Sequence, residues 1–285
     1  MAYRFIQENS FTFGLRWLLR KFNLSPNAYY NFLKGRKDDS RVHKKAICDI
    51  ITEIYHETEG RLGYRSMQIF LARKGIYLSR PTVHKYINKE LGLYSIVMRK
   101  KPAYHRGTPH EIFPNLLKQN FDSDDVNQVW CTDFTYMNLT DGSRRYNCSI
   151  IDLHDRSVVA SLNGKEITSH LAINTLKKSF AAQPAVKPGL ILHSDQGSQY
   201  TSKEFTGFCK SVSIIQSMSK SGYPYDNAPM ERYFNTFKNE LIYQRYFHTD
   251  AELNESVYEY AYVWYNHLRP HTHNKGLTPF AARYL

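Results

Sequence analysis

Apolar residues recur at helical spacing through the first ninety positions and change to alternation after residue 126. Leu15, Leu18, Leu19 and Phe22 form a helical stripe. Leu24-Ser25-Pro26 then supplies an N-cap serine and a proline at the first helical position, and Tyr29, Tyr30, Phe32 and Leu33 carry a short helix towards Gly35. Arg36-Lys37-Asp38-Asp39-Ser40 reads as an exposed connection. Ile47, Ile50, Ile51, Ile54 and Tyr55 predict a helix over 46–57, broken by Gly60 and Gly63. Met67, Phe70 and Leu71 predict another from Tyr64 to Lys74, ended by Gly75. Ser79 can cap a third, with Pro81 in its first turn, Val83, Tyr86 and Ile87 inward, and Arg80, Thr82, His84 and Lys85 outward. Helix, glycine-containing turn and basic helix make a helix-turn-helix pattern, although a small bundle that binds protein has the same pattern.

Val126–Leu139 alternates and is rich in aromatic and β-branched residues, as a strand should be. Tyr146–Asp152 and Ser157–Leu162 follow as short strands. Ser169–Phe180 reads as a helix and Leu190–His193 as a strand buried on both faces. Ser202–Lys210 is helical, Val212–Ser217 strand-like and Ala228–Tyr243 helical. Three strands followed by alternating helix and strand predict a mixed sheet with helices on its faces, an α/β architecture behind an all-α N-terminal region. Between the halves, residues 95–127 carry Arg99-Lys100-Lys101, then Pro102, Pro109, Pro114 and the acidic FDSDD, marking a boundary. The basic triplet fits a phosphate contact or a solvated linker equally.

Charge sharpens this division. The formal net charge is +12 over 285 residues, yet residues 1–110 hold 21 Lys and Arg against 8 Asp and Glu, and residues 111–285 hold 17 against 18. The whole excess lies in the helical half, which favours a polyanionic partner, nucleic acid first, over a basic surface kept for solubility. No apolar run approaches the roughly 18 residues of a membrane span, and MAYRFIQENS lacks the layout of a secretory signal. Cys48, Cys131, Cys148 and Cys209 are scattered without a CxxC, so a reducing cytoplasm is expected rather than a disulfide scaffold. Around His43, Cys48 and His56 the paired spacing of structural zinc is absent.

Three acids stand out in the second half. Asp133 lies within an apolar strand, where a carboxylate is costly without a partner. Asp195 directly follows the short buried strand, at the carboxyl end where α/β sheets bind ligands. Glu231 sits in the first turn of a helix that Asp226 or Asn227 can cap and that Pro229 suits. Met230, Phe234, Phe237 and Leu241 form its buried stripe. Glu231, Asn235 and Lys238 share a neighbouring face, with Lys238 about 10 Å along the axis from Glu231. Three carboxylates on separate elements suit hard divalent cations, and two such ions can drive phosphoryl transfer. Each acid also has a plain structural reading: a buried arginine partner for Asp133, an Asx turn at Asp195, a helix-dipole contact for Glu231.

At these residues the chain resembles a known family, the OrfB product of two-reading-frame bacterial insertion sequences of the IS-three family, within the DDE transposases and retroviral-type integrases. Thirty-five residues separate Asp195 from Glu231, the family's acidic spacing. WCTDFTYM matches the block of the first acid, HSDQGSQYTS the second, and QSMSKSGYPYDNAPMERYFNTFKNEL the third. WYNHLRPHTHNKGLTPFAA resembles the closing motif, and GRLGYRSMQIFLARKGIYLSRPTVHKYINKELGL the internal helix-turn-helix. Tyr233 and Phe237 stand where relatives often carry Phe and Leu, conservative departures.

The resemblance implies an RNase H-like core with a mixed five-stranded sheet and a catalytic trio Asp133, Asp195 and Glu231. It further implies Mg²⁺ or Mn²⁺, two ions, and metal-dependent 3′-end cleavage and strand transfer. No covalent intermediate is implied, which sets Ser194, Ser198 and Tyr200 aside as nucleophiles. Implied partners are the element's DNA ends and target DNA, OrfA or an OrfA-fused transposase (the chain starts without OrfA's own helix-turn-helix and leucine zipper) and further copies of the chain in the active complex. The expected organisation is a helical segment 1–42, a helix-turn-helix domain 43–100, a linker 101–125, the catalytic core 126–246 and a C-terminal helix and tail 247–285. Lys238, Arg80, Thr82, His84, Lys85, Arg99, Lys100 and Lys101 are the candidate DNA contacts. A non-catalytic DNA-binding regulator and a general RNase H-like nuclease are the rival readings.

Lesser candidates are read structurally. His193 either orders the acidic site or is a satisfied core histidine. Gln199 and Tyr200 either contact DNA or pack. Asp152 and Asp155 read as loop or cap acids, Trp264, Tyr265 and His271 as packing residues of a C-terminal helix, and Arg269 as one half of a surface ion pair.

Overall fold

The computed structural model describes residues 2–96, 111–220 and 223–285. The chain divides into two compact units, Met1–Ser95 and Ile96–Leu285. No helix among the described residues is long and apolar enough to cross a membrane.

The first unit is all helical: α1 (Ala2–Phe13), α2 (Leu15–Lys21), α3 (Pro26–Leu33), α4 (Arg36–Glu57), α5 (Tyr64–Arg73) and α6 (Arg80–His84), whose backbone widens into π-helical turns over Lys85–Glu90. Ile6, Leu18, Leu19 and Tyr29 form one small core, with Tyr3, Leu15 and Leu24 against it. Ile47, Ile51, Ile54, Met67, Leu71, Val83 and Ile87 are buried along α4 to α6. Ser25 caps α3 by accepting from Ala28 N–H at 3.2 Å, and Ser79 caps α6 from Thr82 N–H at 3.4 Å.

One sequence expectation fails here. Arg36–Ser40 is not a connection but the opening turns of α4; the break lies at Gly35 alone, at φ 65°. Arg and Lys are good helix formers, so an all-polar stretch distinguishes loop from solvated helix poorly. Helix α1 lies within the helical segment 1–42 but shows no apolar stripe, because Ile6 is its one buried residue.

The second unit is built on strands β1 (Val129–Asn138), β2 (Arg144–Asp152), β3 (Val158–Gly164), β4 (Ile191–Ser194) and β5 (Ile215–Met218). The order is β3-β2-β1-β4-β5. The first three strands form an antiparallel meander, and β4 and β5 run parallel to β1. This is the RNase H-like arrangement expected. Helices α7 (Ser169–Ala182), α8 (Ser198–Thr201) and α9 (Lys203–Ser211) supply the crossovers. Trp130 and Phe134 from β1, and Cys148 and Ile150 from β2, pack on Leu176, Tyr200, Phe205 and Cys209. β1 starts three residues later than alternation suggests because Asn127 takes φ 61°, which no strand accommodates, and its N–H is held by Asp152 at 2.7 Å.

Helices α10 (Ala228–Phe237), α11 (Asp250–Tyr258) and α12 (Pro279–Arg283) complete the unit. α10 runs on as a π-helical turn over Lys238–Ile242, and α11 over Glu259–Leu268. The α11 extension shields the free edge of β3: Asn266 accepts from Val158 N–H at 2.8 Å and donates to Val158 C=O at 3.0 Å, and Tyr262 OH accepts from Ser161 N–H at 2.9 Å. An otherwise open strand edge thus finds side-chain partners. Arg283 of α12 reaches Asp155 at 2.6 Å and Asp152 at 3.3 Å. Both acids also accept backbone N–H groups in the 152–157 turn, so their loop role is joined by a buried ion pair. Arg269 corrects the surface reading. It pairs with buried Glu240 at 3.0 Å, which also accepts from Tyr260 OH at 3.1 Å and Trp264 Nε1 at 3.0 Å.

Candidate active site

The site begins with register. β1 and β4 are parallel neighbours with Cys131 opposite His193. Two residues further along both chains, Asp133 in mid-β1 stands level with Asp195, one residue past the end of β4. Adjacent strands lie about 4.8 Å apart, so the two carboxylates are forced into proximity. Asp133 is half-buried and Asp195 is exposed. Asp133 Oδ1 accepts from its neighbour Phe134 N–H at 2.7 Å, and Asp195 Oδ1 accepts from Gly197 N–H at 2.9 Å, an Asx turn that ends the strand.

Burial pushes the Asp133 carboxyl well above the ordinary aspartate range, and the negative charge of Asp195, then that of Glu231, push it further; Lys238 opposes them. Asp133 therefore resists ionisation beside Asp195. Glu231, in the first turn of α10, is solvent-exposed, and its carboxyl is raised by partial desolvation. Its influence on Asp133 is smaller than that of Asp195. Among the described residues, no three His, Cys, Asp or Glu side chains close around one point. The arrangement is an open pair of carboxylates with a third acid on the neighbouring helix. All the donors are hard oxygens, and an ion such as Mg²⁺, which keeps several waters and takes only one or two carboxylates, fits that set.

Helix α10 is amphipathic, with Met230, Tyr233, Phe234 and Phe237 buried and Glu231 and Asn235 exposed. Lys238 follows its last residue. Burial lowers the Lys238 ammonium, Asp133 opposes that effect, and Nζ lies 4.1 Å from the Tyr136 ring centroid on β1. Lys238 thus faces the strand that carries Asp133.

The contacts that fix the acids relative to each other were not foreseen. Neither Asp226 nor Asn227 caps α10 through its side chain. Asn227 instead donates from Nδ2 to Thr132 C=O at 3.3 Å, tethering the helix start to the residue before Asp133. Asp226 accepts from Asn115 Nδ2 at 3.0 Å, Gln119 Nε2 at 2.9 Å and Lys220 N–H at 3.0 Å, which hold its carboxyl below the usual range, the Gln119 bond most. His193 Nε2 lies 2.9 Å from Asp226 C=O and Nδ1 lies 2.8 Å from Ser217 Oγ. The histidine is thus a buried side chain with both ring nitrogens hydrogen-bonded, and its bonds link β4, β5 and the turn into α10. Tyr200 is fully buried with its hydroxyl 3.0 Å from Thr132 Oγ1, so it packs.

In the first unit, Arg80, His84 and Lys85 are exposed and Thr82 is half-buried on α6 and its extension. Arg80 Nε reaches Gln68 Oε1 at 3.4 Å, Thr82 shares its hydroxyl with Ser79 at 2.8 Å, His84 packs edge-on to Tyr64, and Lys85 lies 3.9 Å from Glu90. Arg99, Lys100 and Lys101 lie outside the described residues.

Comparison with known proteins gives a consistent result. Residues 123–224 and 212–279 match integrase core domain families, and residues 43–101 match an HTH-like domain. The transposase for insertion sequence element IS904 of Lactococcus lactis is 33% identical over 83% of this chain and 93% of its own length. The InsK protein of insertion sequence element IS150 of Escherichia coli is 33% identical over 93% of this chain and 92% of its own. The transposase InsF for insertion sequence IS3A of Escherichia coli is 27% identical over 98% of this chain and 97% of its own. Among solved structures, the HTLV-2 integrase catalytic core domain in complex with magnesium aligns with 19% identity and a TM-score of 0.42, covering 56% of this chain and 99% of that one.

Proposed function

Because the chain belongs to the insertion-sequence transposases with an integrase core, we propose that it cuts and joins DNA ends at Asp133, Asp195 and Glu231, using Mg²⁺ or Mn²⁺. The observation that carries this is the level placement of Asp133 and Asp195 on adjacent parallel strands, close enough for the charge of Asp195 to raise the Asp133 carboxyl. A protein that only binds DNA has no use for such a pair, and nothing in the structure favours the regulator reading. Two ions are the reading that suits three acids split between a strand pair and a helix.

Asp133 and Asp195 would hold one ion and, with Glu231, a second. When bound, the ions lower the pKa of an attacking hydroxyl and offset charge on the phosphodiester. The chain's own residues do the rest. Phe134 N–H holds Asp133 Oδ1, leaving Oδ2 for the ion. Asn227 and His193 keep β1, β4 and α10 in fixed relation, so the three acids meet the phosphate without rearrangement. Lys238, about two helical turns from Glu231, would hold a neighbouring phosphate. Arg80, Thr82, His84 and Lys85 would face DNA from α6, with the basic triplet 99–101 adding phosphate contacts. The proposed domain limits are those read from the sequence. Joining two element ends calls for more than one copy of the chain, with OrfA or an OrfA-fused transposase as a further partner.

The test is strand transfer with duplexes bearing the element's ends, in Mg²⁺, with and without OrfA. Joined product from the parent chain, abolished by EDTA and by Glu231→Gln, is expected. Joined product from Glu231→Gln would sink the assignment, and cleavage without joining would favour a general nuclease.

A further inference from the structure

The HTH-like match covers residues 43–101 and leaves α1 to α3 without a function. Those helices repeat the same local design. α2 ends at Lys21, three residues make the turn, and Ser25 caps α3. The turn passes through Asn23 at φ 51°, as the α5–α6 turn passes through Gly75 at φ 78°. Leu24-Ser25-Pro26 mirrors Leu78-Ser79-Arg80-Pro81, and in both the serine hydroxyl accepts an N–H three residues on. Four residues after each cap comes the inward anchor, Tyr29 in α3 and Val83 in α6, both buried. Leu18 and Leu19 of α2, with Ile6 of α1, complete a three-helix core.

Two helices joined by a tight turn and braced by a third present the second helix to a major groove. The outward row of α3 suits that task. Asn27, Tyr30, Asn31 and Lys34 recur at i, i+3, i+4 and i+7, one helical face. Asn27, Tyr30 and Lys34 are exposed, and Asn31 accepts from Arg36 at 3.1 Å. Asn side chains pair bidentately with adenine edges, and Lys meets guanine or phosphate. Residues 1–36 hold six Lys or Arg (Arg4, Arg16, Arg20, Lys21, Lys34 and Arg36) against Glu8 alone, the charge of a DNA surface rather than of an ordinary protein contact.

We propose that residues 2–34 form a second helix-turn-helix that reads duplex DNA through the Asn27–Tyr30–Asn31–Lys34 face of α3, separately from the α5–α6 unit. A chain with two such readers recognises a composite site in which each contributes its own segment.

The inference rests on the proposal that the chain acts on DNA, and the test separates the two. The full chain is used to select from a randomised duplex library, and affinities for the selected duplex are measured by fluorescence anisotropy at several salt concentrations. A triple substitution, Asn27→Ala, Tyr30→Ala and Lys34→Ala, should select a shortened motif and bind the parental duplex about tenfold or more weakly. Arg80→Ala with Lys85→Ala should erode a different segment. Lys34→Gln alone, an exposed change beyond the last turn of α3, should lower the salt slope by about one and keep the parental melting temperature. Selection of no motif by the parent chain would refute DNA reading altogether. A parental motif, affinity and salt slope indifferent to the α3 changes would overturn this inference alone, as would an unchanged motif accompanied by loss of an oligomer, which would make the face a protein contact.

Discussion

His193 donates from Nε2 to the backbone carbonyl of Asp226, 33 residues away, at 2.9 Å. A carbonyl only accepts, so Nε2 carries the proton. Burial also lowers this imidazole below its ordinary pKa, so the ring is neutral and Nδ1 accepts from Ser217. The strand that delivers Asp195 is thereby pinned to the turn that delivers Glu231. His193→Ala should loosen that turn and reduce strand transfer at pH 7 by about tenfold or more, through a lower kcat at unchanged DNA affinity. His193→Gln, which can offer both a donor and an acceptor, should restore part of it. Equal activity of His193→Ala and the parent chain would remove the positioning role.

Asn227 makes the companion tether, to Thr132 C=O. Its Oδ1 is buried without a hydrogen-bond partner among the described residues, so the side chain is kept at some cost. Asn227→Ala should lose the tether and reduce joining more than it reduces stability, which should change by about 1 kcal/mol. Single-turnover joining beside a urea melt measures the two together.

Asp133 presents the opposite balance. Burial and the charge of Asp195 disfavour its ionised form, so near neutral pH it weakens the fold. Asp133→Asn should abolish joining yet raise the melting temperature of the metal-free protein by about 2–4 °C per kcal/mol recovered. Millimolar Mg²⁺ should stabilise the parent chain and leave Asp133→Asn nearly unmoved, by mass action on the native state. Differential scanning fluorimetry with and without Mg²⁺ checks both arms. An equal Mg²⁺ response would place the ion elsewhere.

What the sequence reveals, and what it hides, has a physical basis. The elements that carry the three acids were readable because Asp133 interrupts an alternating strand, Asp195 follows a short apolar run, and Glu231 follows a helix-start signal. All of these are local patterns. The tethers were not readable. His193 to Asp226 and Asn227 to Thr132 join a side chain to a distant backbone carbonyl, and any residue supplies a carbonyl. Asp226 and Asn227 have the composition of caps yet spend their side chains elsewhere, because the segment 115–119 and β1 offer competing partners. The pairing of half-buried Arg269 with buried Glu240 escaped for a related reason. Both residues are ordinarily exposed, and only the approach of the α11 extension to the end of α10 buries them.

His271 carries a clear pH dependence. Burial, reinforced by the positive charges of Arg269, His273 and Arg156, lowers its imidazole to about 3. In the unfolded chain it returns to roughly 6.5. The neutral ring's contribution is complete above pH 6.5. As pH falls towards 3, the unfolded state binds the extra proton first, and stability is lost at up to about 1.4 kcal/mol per pH unit. His271→Gln cannot take up that proton. Its stability relative to the parent chain should rise steadily from pH 6.5 to pH 4.5 in urea titrations. Parallel pH profiles would show that His271 is not held neutral.

Glu240 closes the end of α10, and its removal should be strongly disruptive in the second unit. It accepts from Arg269, Tyr260 and Trp264, so Glu240→Ala takes the carboxylate from a half-buried guanidinium and the shared acceptor from two buried aromatic donors. Breaking a buried pair from one side costs about 3–5 kcal/mol, most of it from the charge left behind. Glu240→Gln keeps an acceptor for Tyr260 or Trp264 and should cost less. Adding Arg269→Met to Glu240→Gln should recover stability, because the stranded charge goes with it. Joining activity should follow the same order, since Lys238 lies two residues before Glu240 on the same π-helical turn. Urea melts of Glu240→Gln, Arg269→Met and the double variant give the coupling energy directly. If the two single costs simply add, Glu240 and Arg269 do not act as a pair, and Glu240 holds the α11 extension through Tyr260 and Trp264 instead.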